Sequence, residues 1–409
     1  MKTTLNVVVV PLLACLAQSV IAQNVLFEDI PVPEGFPQPS GKALGSLHLD
    51  ADVTAGLMTT NNVYRDASHL GSESSQVTLS STLTSSGERH LLIGTLEHYS
   101  QDFRDDAYQD MDLDATRATV FGRFVTSELT NLRLLLIDEE DVLGKTQSEQ
   151  LNSFTSGLEK NLRTEAIFEF DNTRFFTNVM ARNDKIESIS STGFQNDSLD
   201  RSERDYIVLA GQTVSWGRVF VFGGTQSVRY ESSSMPSLAE RNSDENRYGI
   251  GAEYEVGKFS GDVDVFQFSQ RFRSASIPDI KNAWVGSAIV NYAVSDKLAL
   301  VFAANRRFHE TNIPASGGIF DENIFLGGAW SLFQNLYLRV GPSFSRTKVE
   351  NAPLLIDRYE LDVELAWQIT AHAEMLLTTN VFSQTEKSLA FPMFDAQQAN
   401  SVLSLRLSL

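Results

Sequence analysis

Between Tyr359 and Ile369 the chain alternates without a break. Tyr359, Leu361, Val363, Leu365, Trp367 and Ile369 are apolar, and Glu360, Asp362, Glu364, Ala366 and Gln368 sit between them. In an extended strand successive side chains point to opposite faces. The segment is therefore a strand with six large apolar groups on one face and three carboxylates on the other. Two environments accept such a strand: a soluble sheet with water outside, or a membrane barrel with lipid outside and a wet lumen inside.

The same period recurs along the chain. Leu47, Leu49, Ala51, Val53, Ala55 and Leu57 interleave with His48, Asp50, Asp52 and Thr54. Tyr248 to Val256, Trp284 to Tyr292, Leu298 to Ala304 and Leu403 to Leu409 repeat it. No comparably long helical period follows residue 23, so the chain reads as all-β. Short connections near Ser85–Glu88, Thr126–Asn131, Asn161–Arg163, Trp216–Arg218, Val256–Lys258, Val294–Lys297, Phe333–Asn335 and Ile369–Ala371 take turns with longer polar ones. The longest of these runs from Asn172 to Glu203. A soluble sandwich has no reason to keep two connection lengths in strict alternation, whereas an outer-membrane barrel has short turns at one rim and long loops at the other. The expectation is a transmembrane antiparallel up-and-down barrel of about 18 strands, with 16 as the alternative count. Pro342, inside a predicted strand, removes a ladder donor and predicts a bulge or an early strand end.

The N-terminus fits an exported chain. Lys2 precedes a compact apolar run (Val7-Val8-Val9-Val10-Pro11-Leu12-Leu13), and Val20-Ile21-Ala22 supplies small residues for cleavage. That is the layout of a signal peptide over residues 1–22, too short to span a membrane. Leu12-Leu13-Ala14-Cys15 also reads as a lipoprotein processing box, but the apolar run continues beyond it. Cys15 is the single cysteine, so cleavage after Ala22 leaves neither disulfide nor thiolate metal site. Residues 23–41, with Pro31, Pro33, Pro37 and Pro39, read as an extended segment outside the barrel, which would occupy 42–409.

Composition excludes a second class. The net charge is −19, opposite to the basic footprint that nucleic acid requires. A mean hydropathy of −0.14 is no argument against a barrel, because half of every strand faces water. Trp216, Tyr254, Tyr292, Trp330, Tyr337 and Trp367 fall near the predicted rims, where amphipathic rings favour the headgroup layer.

Residues 50–125 carry a family resemblance. Val53-Thr54-Ala55-Gly56-Leu57 runs into Thr60-Asn61-Asn62-Val63-Tyr64-Arg65, and a Ser/Thr-rich strand covers Val77 to Ser85. His98-Tyr99-Ser100-Gln101-Asp102-Phe103 and Asp105-Asp106-Ala107-Tyr108-Gln109-Asp110 follow. This pattern resembles the putative beta-barrel porin 2 family of outer-membrane barrels, often associated with exopolysaccharide systems. The resemblance implies a barrel and an envelope role, with polysaccharide export as one form of it, and supplies no catalytic residues.

The residues give no sign of catalysis. Of the six histidines, His69 and His309 fall in predicted loops, His90 and His372 at turns, and His48 and His98 within strands. None lies in a recognisable nucleophile motif. Asp102–Asp106, Asp110–Asp114 and Asp138–Asp141 are acidic runs without the spacing or glycine of an EF-hand-type calcium loop. Neither cofactor nor metal site is expected.

The lumen is the candidate site. Asp50, Asp52, Glu253, Glu255, Asp262, Asp264, Glu360, Asp362 and Glu364 fall on the polar face together with Arg339. Asp112, Asp114, Arg117, Arg123 and Arg406 are assigned to the same face. A water-filled path with this lining favours cations; the competing structure pairs Arg with carboxylate across strands and closes the lumen. The expected function is a porin-like channel for small hydrophilic solutes or an exopolysaccharide. The alternative is a non-conducting surface barrel whose long loops bind a ligand or partner. Expected partners are outer-membrane lipid and lipopolysaccharide, the outer-membrane assembly machinery and a polysaccharide export system, with no nucleic acid.

Overall fold

The computed structural model describes residues 30, 41–62, 70–105, 108, 112–143, 157–190, 200–231, 241–309, 316–351, 354–388 and 394–409. The predicted leader, 1–22, and most of 23–41 lie outside the described residues, as do several predicted loops.

A short strand, β1 (Lys42–Leu44), precedes the long ones. These are β2 (Leu47–Thr60), β3 (Ser72–Ser86), β4 (His90–Phe103), β5 (Leu113–Ser127), β6 (Thr130–Leu143) and β7 (Gly157–Asp171). Next come β8 (Phe175–Ser190), β9 (Arg201–Val214), β10 (Gly217–Tyr230), β11 (Ser243–Val256), β12 (Phe259–Phe272) and β13 (Ile280–Ser295). The last are β14 (Leu298–His309), β15 (Ile319–Phe333), β16 (Leu336–Val349), β17 (Leu354–Thr370), β18 (Ala373–Ser388) and β19 (Phe394–Ser408). Each of β2 to β19 pairs antiparallel with the next, and β19 returns to β2, from Asn400↔Thr60 to Ser408↔Asp52. The product is a closed antiparallel barrel of 18 strands, β2 to β19. β19 stops short of the start of β2, and β1 covers the edge it leaves, with Lys42↔Leu49 to Leu44↔Leu47.

Side-chain exposure confirms the two faces. On β17, Tyr359, Leu361, Trp367 and Ile369 are exposed, whereas Ala366 and Gln368 are buried. The outward positions of the other strands are likewise large and apolar: Leu57, Leu79, Leu96, Val120, Val221, Ile250, Leu326 and Leu403 are all exposed. Trp216, Trp330, Phe333 and Trp367 project outward near the short-turn rim, and Tyr292 stacks on Phe259 there with centroids 4.4 Å apart. Tyr206, Tyr248, Trp284 and Tyr359 form the opposite girdle. Along β17 the two girdles are eight residues apart, about 26 Å of strand, or roughly 20 Å of height at a tilt of about 40°. Tyr337 does not belong to either girdle. It is 4% exposed and points inward, because its position on β16 shares the parity of Arg339.

Two predicted connections are displaced. Asn161–Arg163 lies inside β7, and the short turn is at residues 172–174. The predicted loop from Asn172 to Glu203 contains all of β8. Strand β8 hid from the alternation because its inward face mixes Phe176, Met180 and Ile186 with Arg182 and Asp184, while Asn183 and Lys185 point outward. Pro342 produces neither a bulge nor an early end. The β15–β16 ladder skips from Phe325↔Ser343 to Gly328↔Val340 and resumes in the same register, while Pro342 still pairs with Leu361 on β17. The donor that proline lacks is thus missing on the β15 side alone.

Arg in place of Leu361, Val363 or Leu365 should destabilise the inserted barrel by about 2–4 kcal/mol at mid-depth. Equilibrium unfolding from lipid vesicles measures this, and wild-type stability would mean that the faces are reversed.

Candidate functional site in the lumen

The inward face collects the predicted acidic residues on two separate walls. On β17, Glu360 accepts from Arg358 Nη2 at 3.0 Å, and Asn380 Nδ2 reaches both Glu360 (2.5 Å) and Asp362 (2.6 Å). Glu364 accepts from Tyr337 Oη at 3.0 Å and from Arg339 Nη1 at 3.3 Å. Arg406 of β19 pairs with Glu374 of β18 at 3.2 Å. On the other wall, Glu253 of β11 stands directly opposite Asp262 of β12. Asp264 accepts from Ser287 Oγ, and Glu255 lies at the rim. Among the described residues Glu253, Glu255, Asp262, Asp264 and Asp362 form no ion pair. Like charges facing each other across strands are destabilising; Arg218, opposite Glu253 across the β10–β11 seam, offsets part of this wall's negative field.

Asp50 and Asp52 lie on the inner face of β2, where His48 Nε2 is 3.4 Å from Asp50. They are not brought together with either acidic wall. Arg117 and Arg123 face inward on β5, and Arg117 pairs with Glu139 at 3.2 Å. Asp114 is a correction. It sits outside beside His98, because it is three residues from Arg117 on one regular strand and an odd spacing puts the two on opposite faces.

Between β6 and β11 lies a structure the alternation did not reveal, a ladder of ion pairs running across the inner wall. Arg133 meets Glu169 at 2.6 Å, and Arg163 and Arg182 meet Asp184 at 2.8 and 3.0 Å. Asp205, 1% exposed, lies between Arg182 at 3.6 Å and Arg247. Arg247 also approaches Glu245 at 3.7 Å, and Arg201 closes on Glu203 at 2.8 Å. Here the pairing that competes with an open acidic lining is realised. Each of these residues has inward parity on its own strand. What sequence could not supply was the register that sets Arg182, Asp205 and Arg247 side by side across three seams.

Below the ladder the wall turns aromatic. Phe176, Phe220, Phe222 and Phe266 follow one another with centroids 6.4, 6.3 and 5.6 Å apart. Glycines opposite them make this possible. Phe220 faces Gly251 and Phe222 faces Gly249 across the β10–β11 seam. A Cβ on Gly249 would come within 2.8 Å of the Phe222 ring, and one on Gly251 within 2.4 Å of the Phe220 ring. The rings therefore lie along the wall rather than across the lumen. At the long-loop rim, Ile277 packs into this apolar cluster, and Arg241 donates to the Ser316 carbonyl at 3.0 Å. Ser316 in turn donates to the Glu350 carbonyl at 2.8 Å, linking neighbouring loops.

Among the described residues, His98 is the histidine with both hydroxyl and carboxylate neighbours. Thr116 Oγ1 lies 3.2 Å and Asp114 3.5 Å from the same ring nitrogen, Nδ1. A relay needs the carboxylate and the nucleophile on opposite nitrogens, so this arrangement cannot run one. Among the described residues no three His, Cys, Asp or Glu side chains converge on a metal-sized site.

The chain matches the family described as Putative beta-barrel porin 2 over residues 36–409. No curated protein matches the sequence. Among solved structures, OccK2 (OpdF) of Pseudomonas aeruginosa, in complex with glucuronate, is similar with a TM-score of 0.50 at 10% identity, covering 89% of this chain and 98% of that one. OccK11 (OpdR) of the same organism gives 0.47 at 10%, covering 93% and 100%. The siderophore receptor PirA of P. aeruginosa gives 0.43 at 8%, covering 91% and 81%. At 10% identity the likeness to OccK2 is one of fold. The chain belongs to the Putative beta-barrel porin 2 family and is an outer-membrane barrel.

Removing Asp205 leaves the buried Arg182 with Asp184 alone and Arg247 with the more distant Glu245 alone, a loss of about 3 kcal/mol. Asp205→Ala should therefore lower the urea midpoint of the folded barrel far more than Asp362→Asn, read by the gel shift between folded and unfolded forms. Equal midpoints would remove the ladder from the account.

Proposed function

We propose that this member of the porin family is a passive channel for small hydrophilic solutes and that it prefers cations. The observation that carries the reading is the unpaired acidic wall of Glu253, Glu255, Asp262 and Asp264, faced elsewhere in the lumen by Glu360, Asp362 and Glu364. The ladder between β6 and β11 neutralises its own charge, and Arg358 and Arg339 offset Glu360 and Glu364, so the excess negative charge on these walls lies on the β11–β12 carboxylates and Asp362. A neutral or cationic solute is favoured over an anionic one. An exopolysaccharide passing through such a lumen would be neutral. The reading assigns no chemistry to the protein and no cofactor. Its surroundings are outer-membrane lipid, lipopolysaccharide and the machinery that assembles barrels, with a polysaccharide export system as partner if the solute is a polymer.

One observation favours the second reading, a surface barrel that binds through its loops. Arg241, Ser316 and Glu350 tie neighbouring long loops together above the lumen, and linked loops make a preorganised surface.

The discriminating experiment is the zero-current potential of the refolded protein in a planar bilayer under a KCl gradient. Wild type should be cation-selective, and Glu360→Gln/Asp362→Asn/Glu364→Gln should move the potential toward zero while the barrel still assembles. An unchanged potential in the triple variant would show that these groups do not face the conducting path. Absence of current from inserted protein would transfer the weight to loop binding.

A further inference from the structure

A groove of about 660 Å³ opens on the lipid face across β4 to β9. One row of outward residues, each opposite the next across a seam, runs along it: Leu92, Gly122, Leu134, Ala166, Ala181 and Tyr206. Elsewhere the outward positions carry large apolar groups. Here Ala166 and Ala181, paired across the β7–β8 seam, leave a depression between Leu134 and Leu136 of β6 and Tyr206 of β9. The far end is closed by Leu92 and Phe124, which lie 3.2 and 2.9 Å from where a Cβ on Gly122 would be. Five seams of about 4.8 Å make the row about 24 Å long. The strands tilt by about 40°, so a row at right angles to them climbs the barrel. It starts near the short-turn end of β4 and ends at the girdle tyrosine Tyr206. The groove is thus narrow, apolar and oblique, the shape of an extended acyl chain.

Its upper end is polar. Arg204 lies on the outer face of β9, two positions nearer the long-loop rim than Tyr206, and is exposed. Among the described residues it forms no ion pair, whereas Lys185 on the neighbouring strand already pairs with Glu187 at 2.5 Å. Asn183 of β8 stands directly opposite Arg204 on one side and Ser227 of β10 on the other. A guanidinium flanked by an amide and a hydroxyl matches phosphate oxygens, which the planar fork binds in a bidentate manner. The level is that of lipid headgroups, because amphipathic rings such as Tyr206 mark the interface. Long loops face the cell exterior in barrels of this kind, and the amphiphile of that leaflet is lipopolysaccharide. Its lipid A carries phosphate on a sugar headgroup and several acyl chains.

We propose that this groove holds one acyl chain of lipid A, with a lipid A phosphate seated on Arg204, Asn183 and Ser227. The groove is on the outer surface of the barrel, so its occupancy does not depend on whether the lumen conducts.

Refolded protein in detergent micelles, titrated with lipid A and followed by native mass spectrometry, gives a dissociation constant for the first lipid bound. Arg204→Gln, which removes a charge-assisted hydrogen bond, should raise it by about tenfold. Ala181→Phe, which fills the groove, should raise it by a comparable factor. Both positions face outward, and the gel shift between folded and unfolded forms verifies assembly of each variant. Arg306→Gln is the control: Arg306 lies on the outer face of β14 and pairs with Glu322 at 3.6 Å, so the constant should not change. Lipid A stripped of phosphate should bind wild type and Arg204→Gln alike. Unchanged affinity in either assembled groove variant, or an equal loss in Arg306→Gln, overturns the site. Phosphatidylglycerol binding as tightly as lipid A, with the same dependence on Arg204 and Ala181, overturns the assignment to lipopolysaccharide.

Discussion

A polypeptide crossing hydrocarbon has no water for its backbone N–H and C=O groups, and each one left unpaired costs several kcal/mol. Everything else in this molecule depends on how that constraint is met. Strands β2 to β19 pair in sequence, and β19 closes on β2. Where β19 ends, Leu409 N still donates to Ala51 O at 2.9 Å, and β1 takes over the remaining edge of β2. No long strand edge is left at the seam. Closure then forces the two-face alternation, because one side of every strand meets lipid and the other the lumen.

The lumen is not uniform, and its differences have separate physical causes. Between β6 and β11 the registers bring guanidinium groups against carboxylates at nearly every seam, and burial there is affordable only because each charge has an opposite one beside it. On the β11–β12 wall, Glu253 faces Asp262 directly across the seam. Fields of one sign in a low-dielectric channel concentrate ions of the other. The aromatic patch solves a third problem. Phenylalanine in a lumen would obstruct it, and glycines on the paired strand let the rings lie flat. Ile30, expected outside the barrel, packs on Val301 and Phe325 and adds a piece of apolar core to an otherwise mixed interior.

Much of the fold was legible in the sequence because a period of two survives wherever one face is uniformly apolar. Residues 359–369 state it plainly, and β2, β11, β13 and β19 repeat it. Legibility failed where both faces are mixed, as on β8, whose inward Phe176 and Met180 were indistinguishable from loop residues. The inward parity of Glu360, Asp362, Glu364, Asp262, Asp264 and Arg339 followed from the same period. Which of them find partners did not, since pairing depends on register across seams, and register is a property of two strands at once. Asp205 with Arg247 and Glu253 with Asp262 show the two opposite outcomes of that unknown. Ile30 was out of reach for another reason: its partners lie some 270 residues further along the chain, around Val301, and no local pattern marks a residue for such a contact.

Single cysteines placed one at a time along residues 360–368, in a Cys15→Ser background and with the barrel in lipid bilayers, test the central claim most directly. Reaction with a water-soluble thiol reagent should alternate, with positions 360, 362 and 364 modified and 361, 363, 365 and 367 protected. Uniform reactivity, or the reverse alternation, would contradict a barrel that turns its carboxylates to a water-filled lumen and its apolar residues to lipid.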